Sequence, residues 1–140
     1  MLLSIEELRV SYGNIKALHG LNFQIDEGEI VCIIGANGAG KSTTLKAISR
    51  LVPADAGSKM TFAGENLLDY PADKVVSRLG ISHVPEGRRL FDNLTVTENL
   101  QLACFARKDK DQIKEDIKRV FSIFSRLEER QYQKAGTLSG

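Results

Sequence analysis

The feature that most constrains this chain is the stretch Ile30 to Leu51, in which the apolar run Ile30–Ile34 leads directly into Gly35-Ala36-Asn37-Gly38-Ala39-Gly40-Lys41-Ser42. The eight residues fit G-x-x-x-x-G-K-[ST], a loop that cradles phosphate. Glycine permits backbone turns in which N–H groups converge, and it leaves room for phosphate oxygens to approach. Lys41 can reach β- and γ-phosphates, Ser42 can offer its hydroxyl to Mg²⁺, and a helix starting there adds its positive end. By chance the pattern arises in a chain this long on the order of once in a few hundred. Its setting strengthens it. Ile30 to Ile34 reads as a strand buried on both faces, and Leu45, Ile48 and Leu51 recur at helical spacing. The site is built for a nucleoside triphosphate.

Length and charge limit the rest. With 140 residues the chain can bury about two-thirds of its unfolded surface, enough for a core. Lys plus Arg (19) nearly balance Asp plus Glu (18), so no net field favours nucleic acid or an anionic membrane. No apolar run approaches the ~20 residues of a bilayer span, and Glu6 and Glu7 stand where a targeting segment is basic. The expectation is a cytoplasmic chain without direct membrane insertion. Cys32 in the apolar run and Cys104 on an expected helix have no partner at metal-ligand spacing, and His19 and His83 are equally isolated. All four read as structural, with Cys32 buried.

In chain order, residues 2–12 are compatible with a strand, although Glu6-Glu7 breaks its alternation. After a turn at Ser11–Asn14 a second strand is expected at Leu21–Ile25, then a turn at Asp26–Glu29. Beyond the phosphate loop come a short strand at Met60–Ala63, a turn at Gly64–Asn66, a helix opened by Pro71 through Leu79, and a strand at Ile81–Val84. Thr95-Val96-Thr97-Glu98 is a capping box that starts a helix to about Ala106. Residues 109–127 form the strongest helical pattern, with Ile113, Ile117, Val120, Phe121, Phe124 and Leu127 on one stripe. That stripe suits a core-facing surface, or, less simply, a partner. The resulting fold class is α/β.

Several segments then fall together. Tyr12 in SYG, the loop GANGAGKST, HVPEGRRLFDNLTVTENL and the terminal LSG resemble ATP-binding cassette ATPases along essentially the whole chain. The middle segment and QKAGTLSG are most similar to the smaller ATP-binding subunit of bacterial branched-chain amino acid importers. The resemblance implies a P-loop NTPase fold with an N-terminal antiparallel β layer, an incomplete parallel-sheet core and a helical subdomain, divided at about 1–84 and 85–140. It implies that Tyr12 stacks on adenine, and that Gly35 and Asn37 through Thr44 (Asn37, Gly38, Ala39, Gly40, Lys41, Ser42, Thr43, Thr44) wrap the phosphates, with Lys41 stabilising transferring charge. Ser42 and Glu86 would serve Mg²⁺. Glu86 stands where most of the family carry Gln, a departure shared with the branched-chain subgroup.

The same resemblance implies that Ser139 and Gly140 begin the signature that meets the γ-phosphate held by a second ATPase subunit, in a homo- or heterodimer. Permease subunits would dock through the Glu86 to Asn99 region and hold the protein on the inner face of the plasma membrane. The match ends inside the signature, and no run ending in Asp-Glu supplies the Mg²⁺-holding Asp or catalytic Glu. The expectation is an N-terminal part of a longer ATPase that binds ATP weakly, does not turn it over, and exposes the edge of Ile30–Ile34. An Asn-Lys-x-Asp base-reading motif is missing, which argues against a GTPase, and a kinase gives no reason for LSG. Cargoes such as urea or other amides, and a non-catalytic module that docks on a transporter, remain the alternatives.

Overall fold

A computed structural model of the 140-residue chain describes residues 1–87 and 89–138. It divides into two compact units, Met1–His83 and Val84–Gly140.

The first unit is built on a hairpin. β1 (Leu3–Tyr12) and β2 (Ile15–Ile25) pair antiparallel from Leu3↔Ile25 to Tyr12↔Ile15, and Gly13 takes the left-handed conformation (φ 58°) at the turn between them. β1 also pairs antiparallel with β3 (Lys59–Phe62), which pairs with the two-residue β4 (Glu65–Asn66). The order is β2-β1-β3-β4. β2 thus begins six residues before the expected Leu21. Its first half shows no alternating pattern, and pairing with β1 decides it.

The Glu6-Glu7 interruption is a bulge. The register slips between Ile5 and Leu8, and Glu7 sits at φ 50°. The extra residue brings Ile5 and Leu8, three apart, onto the same buried face, where strict alternation would have separated them. Asn22 of β2 holds the bulge: its Oδ1 accepts from the Glu7 N–H at 2.8 Å, and its Nδ2 donates to Glu7 Oε1 at 3.0 Å and to the Gly20 carbonyl at 2.9 Å. Leu3, Ile5, Leu8, Val10, Leu18 and Met60 of the sheet pack with Ala47, Leu67 and Val75 to form the core.

α1 (Lys41–Ile48) lies against this core through Thr44, Ala47 and Ile48; of the expected Leu45-Ile48-Leu51 stripe only Ile48 packs on it. Leu45 and Leu51 are exposed and Ile48 is half-buried. The helix ends early: the Ser49 hydroxyl donates to the Leu45 carbonyl at 2.7 Å, and Arg50 turns left-handed at φ 57°. The Arg50 guanidinium then donates to the carbonyls of Tyr70 (3.2 Å) and Leu68 (3.4 Å), which ties the end of α1 to the segment before α2 (Ala72–Ser77). Pro71 caps α2 from outside.

Two expected strands do not form. Residues 29–36 carry no regular structure, and Ile30 and Ile34 are 95% and 93% exposed. Cys32, expected to be buried there, is exposed. A strand buried on both faces needs paired neighbours and a layer on each side, and among the described residues no strand pairs with 30–34. The same holds for Ile81–Val84, where Val84 is exposed. All pairings among the described residues are antiparallel, so the parallel part of the expected sheet is not formed by them.

In the second unit, α3 (Val96–Ala103) opens on the expected capping box: Thr95 Oγ1 accepts from the Glu98 N–H at 3.2 Å, and Glu98 Oε2 accepts from the Thr95 N–H at 2.7 Å. That hydrogen bond from the Thr95 backbone, then the one from its hydroxyl, holds the Glu98 carboxyl below its ordinary pKa. The long helix expected over 109–127 is two, α4 (Lys110–Ile123) and α5 (Ser125–Glu129), broken where Phe124 leaves helical geometry (φ −118°, ψ 70°). Phe121 is buried, Ile113, Ile117, Val120 and Leu127 are half-buried, and Phe124 is exposed. Arg107 joins the α3–α4 connection to α4 by ion pairs to Asp109 and Asp116.

Candidate functional site

Gly35 to Thr44 forms a loop that closes on the first turn of α1. Gly38 and Gly40 are left-handed at φ 86° and 89°, a conformation open to glycine at little cost. At Gly40 the space is also closed: a β-carbon would stand 2.5 Å from Leu18 Cδ2 and 3.0 Å from the Ala17 carbonyl oxygen. At Gly35 it would meet the Ala39 methyl at 3.0 Å. The loop is therefore seated on β2 by its last glycine and folded on itself by its first. Leu18 and Ala17 carried no signal in the motif pattern, which looks only along the loop.

Gly40 is the N-cap of α1 and contributes no side chain, and no acidic residue stands in the first turn. Among the described residues no side-chain cap closes this helix end, and the helix dipole points its positive end there. Thr44, one turn in, is buried and back-bonds through Oγ1 to the Gly40 carbonyl at 3.0 Å. It braces the loop from within. Asn37, Gly38, Ala39 and Ser42 are exposed, and Thr43 is half-buried.

Lys41 curls back over the loop. Its ammonium donates to the carbonyls of Gly35 and Ala36, both at 2.8 Å. The cation is thus held at the mouth of the cup by two neutral acceptors, and an incoming anion would offer it charge in their place. At the other side, Tyr12 ends β1 with its ring half exposed, and its hydroxyl donates to Thr43 Oγ1 at 3.5 Å. An aromatic face, an anion cup, a lysine and a hydroxyl are brought together on the first unit.

Glu86 belongs to the second unit, exposed, where its carbonyl accepts from Arg89 Nε at 3.5 Å. Ser139 and Gly140 lie outside the described residues. Among the described residues no group of three or more His, Cys, Asp or Glu side chains could hold a metal ion. No helix among the described residues is long and apolar enough to cross a membrane.

One further residue stands out. Asn99, on α3, accepts from the Phe91 N–H at 3.0 Å and donates to the carbonyls of Phe91 (3.1 Å), Leu94 (3.4 Å) and Thr95 (3.0 Å). It clamps the loop that follows Glu86. An Asn four residues after an N-cap, able to bond back to the cap's carbonyl, was the available signal.

Comparison with known proteins gives the same reading. The profile of the ABC transporter family matches residues 18–140. Over 139 residues the chain is 44% identical to the high-affinity branched-chain amino acid transport ATP-binding protein BraG of Pseudomonas aeruginosa, covering 99% of this chain and 58% of that one. It is 34% identical, with the same coverage, to a probable branched-chain amino acid transport ATP-binding protein, LivF, of Archaeoglobus fulgidus. A solved ATP-binding subunit of an ABC transporter superposes with a TM-score of 0.84 at 31% identity, over 99% of this chain and 56% of that one. The chain thus spans a little under three-fifths of the length of the proteins it matches. It belongs to the ABC transporter family and has the P-loop fold of that family's ATP-binding proteins.

Proposed function

We propose that this chain is the nucleotide-gripping part of an ABC-type ATPase subunit that couples ATP binding and hydrolysis to the uptake of branched-chain amino acids. The observation that carries the ATP assignment is the Gly35–Thr44 cup, with Lys41 poised over its carbonyls and Tyr12 beside Thr43. The cargo assignment rests on the similarity to the branched-chain amino acid transport proteins of Pseudomonas and Archaeoglobus.

In this reading the backbone of Asn37 to Ser42 and the start of α1 receive the phosphates, and Lys41 exchanges its two carbonyl partners for β- and γ-oxygens. Ser42 would hold Mg²⁺ through its hydroxyl, and the ion would neutralise charge on the triphosphate; Glu86, on the second unit, offers a carboxylate of the kind that binds such an ion. Tyr12 stacks on the base. Ser139 and Gly140 serve the nucleotide of a second ATPase subunit. The Glu86 to Asn99 region meets permease subunits, which keep the protein peripheral on the cytoplasmic face of the membrane. Hydrolysis, transport and these partnerships belong to the whole protein.

The test is uptake of labelled leucine, isoleucine and valine by cells that depend on this protein, with urea as the control cargo. Uptake of the three amino acids that is abolished by Lys41→Ala supports the reading. Uptake of urea alone, or amino acid uptake indifferent to Lys41→Ala, contradicts it.

A further inference from the structure

The loop after Glu86 and the strap that runs toward Ser139 are joined almost entirely by main-chain hydrogen bonds. The strap's Ala135 and Gly136 N–H groups donate to the carbonyls of Leu94 (2.8 Å) and Asp92 (3.1 Å). In return, the Val96 and Thr97 N–H groups donate to the carbonyls of Gln133 (3.1 Å) and Gln131 (3.0 Å), and Thr97 Oγ1 adds a bond to Gln131 at 3.1 Å. Thr95 and Lys134 form an isolated antiparallel bridge at the centre of this exchange.

Other bonds of the strap are local: the Gln131 and Gln133 N–H groups donate to the carbonyls of Glu128 (3.2 Å) and Arg130 (2.9 Å), and Gln133 Nε2 donates to Thr137 Oγ1 at 2.9 Å. The strap contains one short 3-10 turn, Ala135–Thr137, and Ala135 is its buried apolar residue among those described. Where its middle lies depends on where the carbonyls of Asp92 and Leu94 point, since the Ala135 and Gly136 N–H groups bond to them. Residues 89–94 contain no helix or strand that would aim them. The Leu94 N–H closes a turn on the Phe91 carbonyl at 3.0 Å, and Asn99 ties that turn down with one accepted bond and with two amide hydrogens shared among three carbonyls from Phe91 to Thr95. Gly136 completes the fit from the other side, since a β-carbon there would stand 2.8 Å from the Asp92 β-carbon.

We infer that Asn99 is a positioning residue for the signature segment: through the Phe91–Thr95 loop it sets the strap Gln131–Leu138, whose sequence continues into Ser139. The inference rests on the ATPase reading for the role of Ser139, and on hydrogen bonds alone for the link itself. Ala at position 99 loses both acceptor and donors, Asp loses the donors, and Gln carries the same amide one methylene farther out.

The test measures backbone amide exchange and steady-state ATPase kinetics in the intact protein carrying Asn99→Ala, Asn99→Asp or Gly136→Ala. In Asn99→Ala the amides of Ala135 and Gly136 exchange about tenfold faster or more, the scale of losing one net hydrogen bond, while α4 amides such as Ile117 and Val120 stay within about twofold. Asn99→Asp keeps the acceptor and loses the donors, and gives a smaller rise at the same amides. Gly136→Ala, acting from the strap, speeds exchange of the Phe91 amide. In the same variants kcat for ATP falls several-fold, with KM held within about twofold.

Unchanged Ala135 and Gly136 amides in Asn99→Ala, or a rise shared equally with α4, overturns the inference, as does wild-type exchange in Asn99→Asp. A raised KM at unaltered kcat also overturns it. Failure of the wild-type protein to bind ATP, with the exchange pattern intact, would sink the ATPase reading instead.

Discussion

The δ-carbon of Leu18 lies 2.5 Å from where a β-carbon on Gly40 would stand. This close approach joins the core of the hairpin to the glycine-rich loop: Leu18 is buried on β2, and Gly40 is the residue from which α1 starts. The cup is not a free loop. Its geometry is set by a strand on which the loop rests.

Gly40→Ala is therefore expected to cost stability and binding together. The left-handed φ of 89° alone penalises alanine, and the methyl group meets Leu18 and the Ala17 carbonyl. Strain and overpacking sum to about 2–4 kcal/mol. Urea denaturation checks the magnitude. Leu18→Ala in the Gly40→Ala background should recover part of the loss, because it removes the atom in the way. No recovery would mean that the backbone strain acts alone.

Leu8 and Ile34 should respond in opposite ways in the 140-residue chain. Leu8 is fully buried beside the Glu7 bulge and Ile34 is almost fully exposed. Leu8→Ala is expected to destabilise by about 2–5 kcal/mol and Ile34→Ser by no more than about 0.5 kcal/mol. Ile34→Ser should also reduce self-association, since Ile30 and Ile34 present apolar surface to water. Sedimentation and chemical denaturation of the two variants test this.

These two residues also mark how far the sequence could be read. The turn from Gly35 into α1 was legible because it is a local pattern in which each residue type has its own reason. The Thr95–Glu98 box was legible on the same grounds. The buried faces were not: Ile30–Ile34 looks like an interior strand by composition, but composition cannot say whether a neighbour pairs with it. The Ile5–Leu8 bulge, the early stop of α1 at Ser49 and Arg50, and the break at Phe124 depend on contacts far along the chain or on single backbone angles. Asn99 had a local signal, its spacing from Thr95, that a search for catalytic residue types passes over.

Acid should loosen the start of α3. The Glu98 carboxyl is held below 4.5 by hydrogen bonds from the Thr95 backbone and hydroxyl, so it contributes stability above the unfolded-state pKa. That contribution is lost as pH falls through the lower, folded-state value. Glu98→Gln should remove this part of the pH dependence below 4.5, and Thr95→Ala should cost about 1 kcal/mol at neutral pH. Helical ellipticity followed from pH 7 downward, in wild type and both variants, reads it.

The two carboxylates around Arg107 should separate by cause. Asp109 lies below 3.8 chiefly because Arg107 donates to it, whereas for Asp116 the Gln112 amide leads and Arg107 comes second. Gln112→Ala is expected to raise Asp116 and leave Asp109 where it is. Arg107→Gln should raise both. Carbon-detected titration of the side-chain carboxyls decides, and an Asp116 indifferent to Gln112→Ala would reverse the ranking.

The measurement closest to the central claim is a titration of the intact protein with ATP in the presence of Mg²⁺, repeated with Lys41→Ala. The account predicts saturable binding that weakens at least about tenfold when Lys41 loses its ammonium, the scale of one charge-assisted hydrogen bond. Equal affinity in the two proteins, or no binding in either, would contradict it.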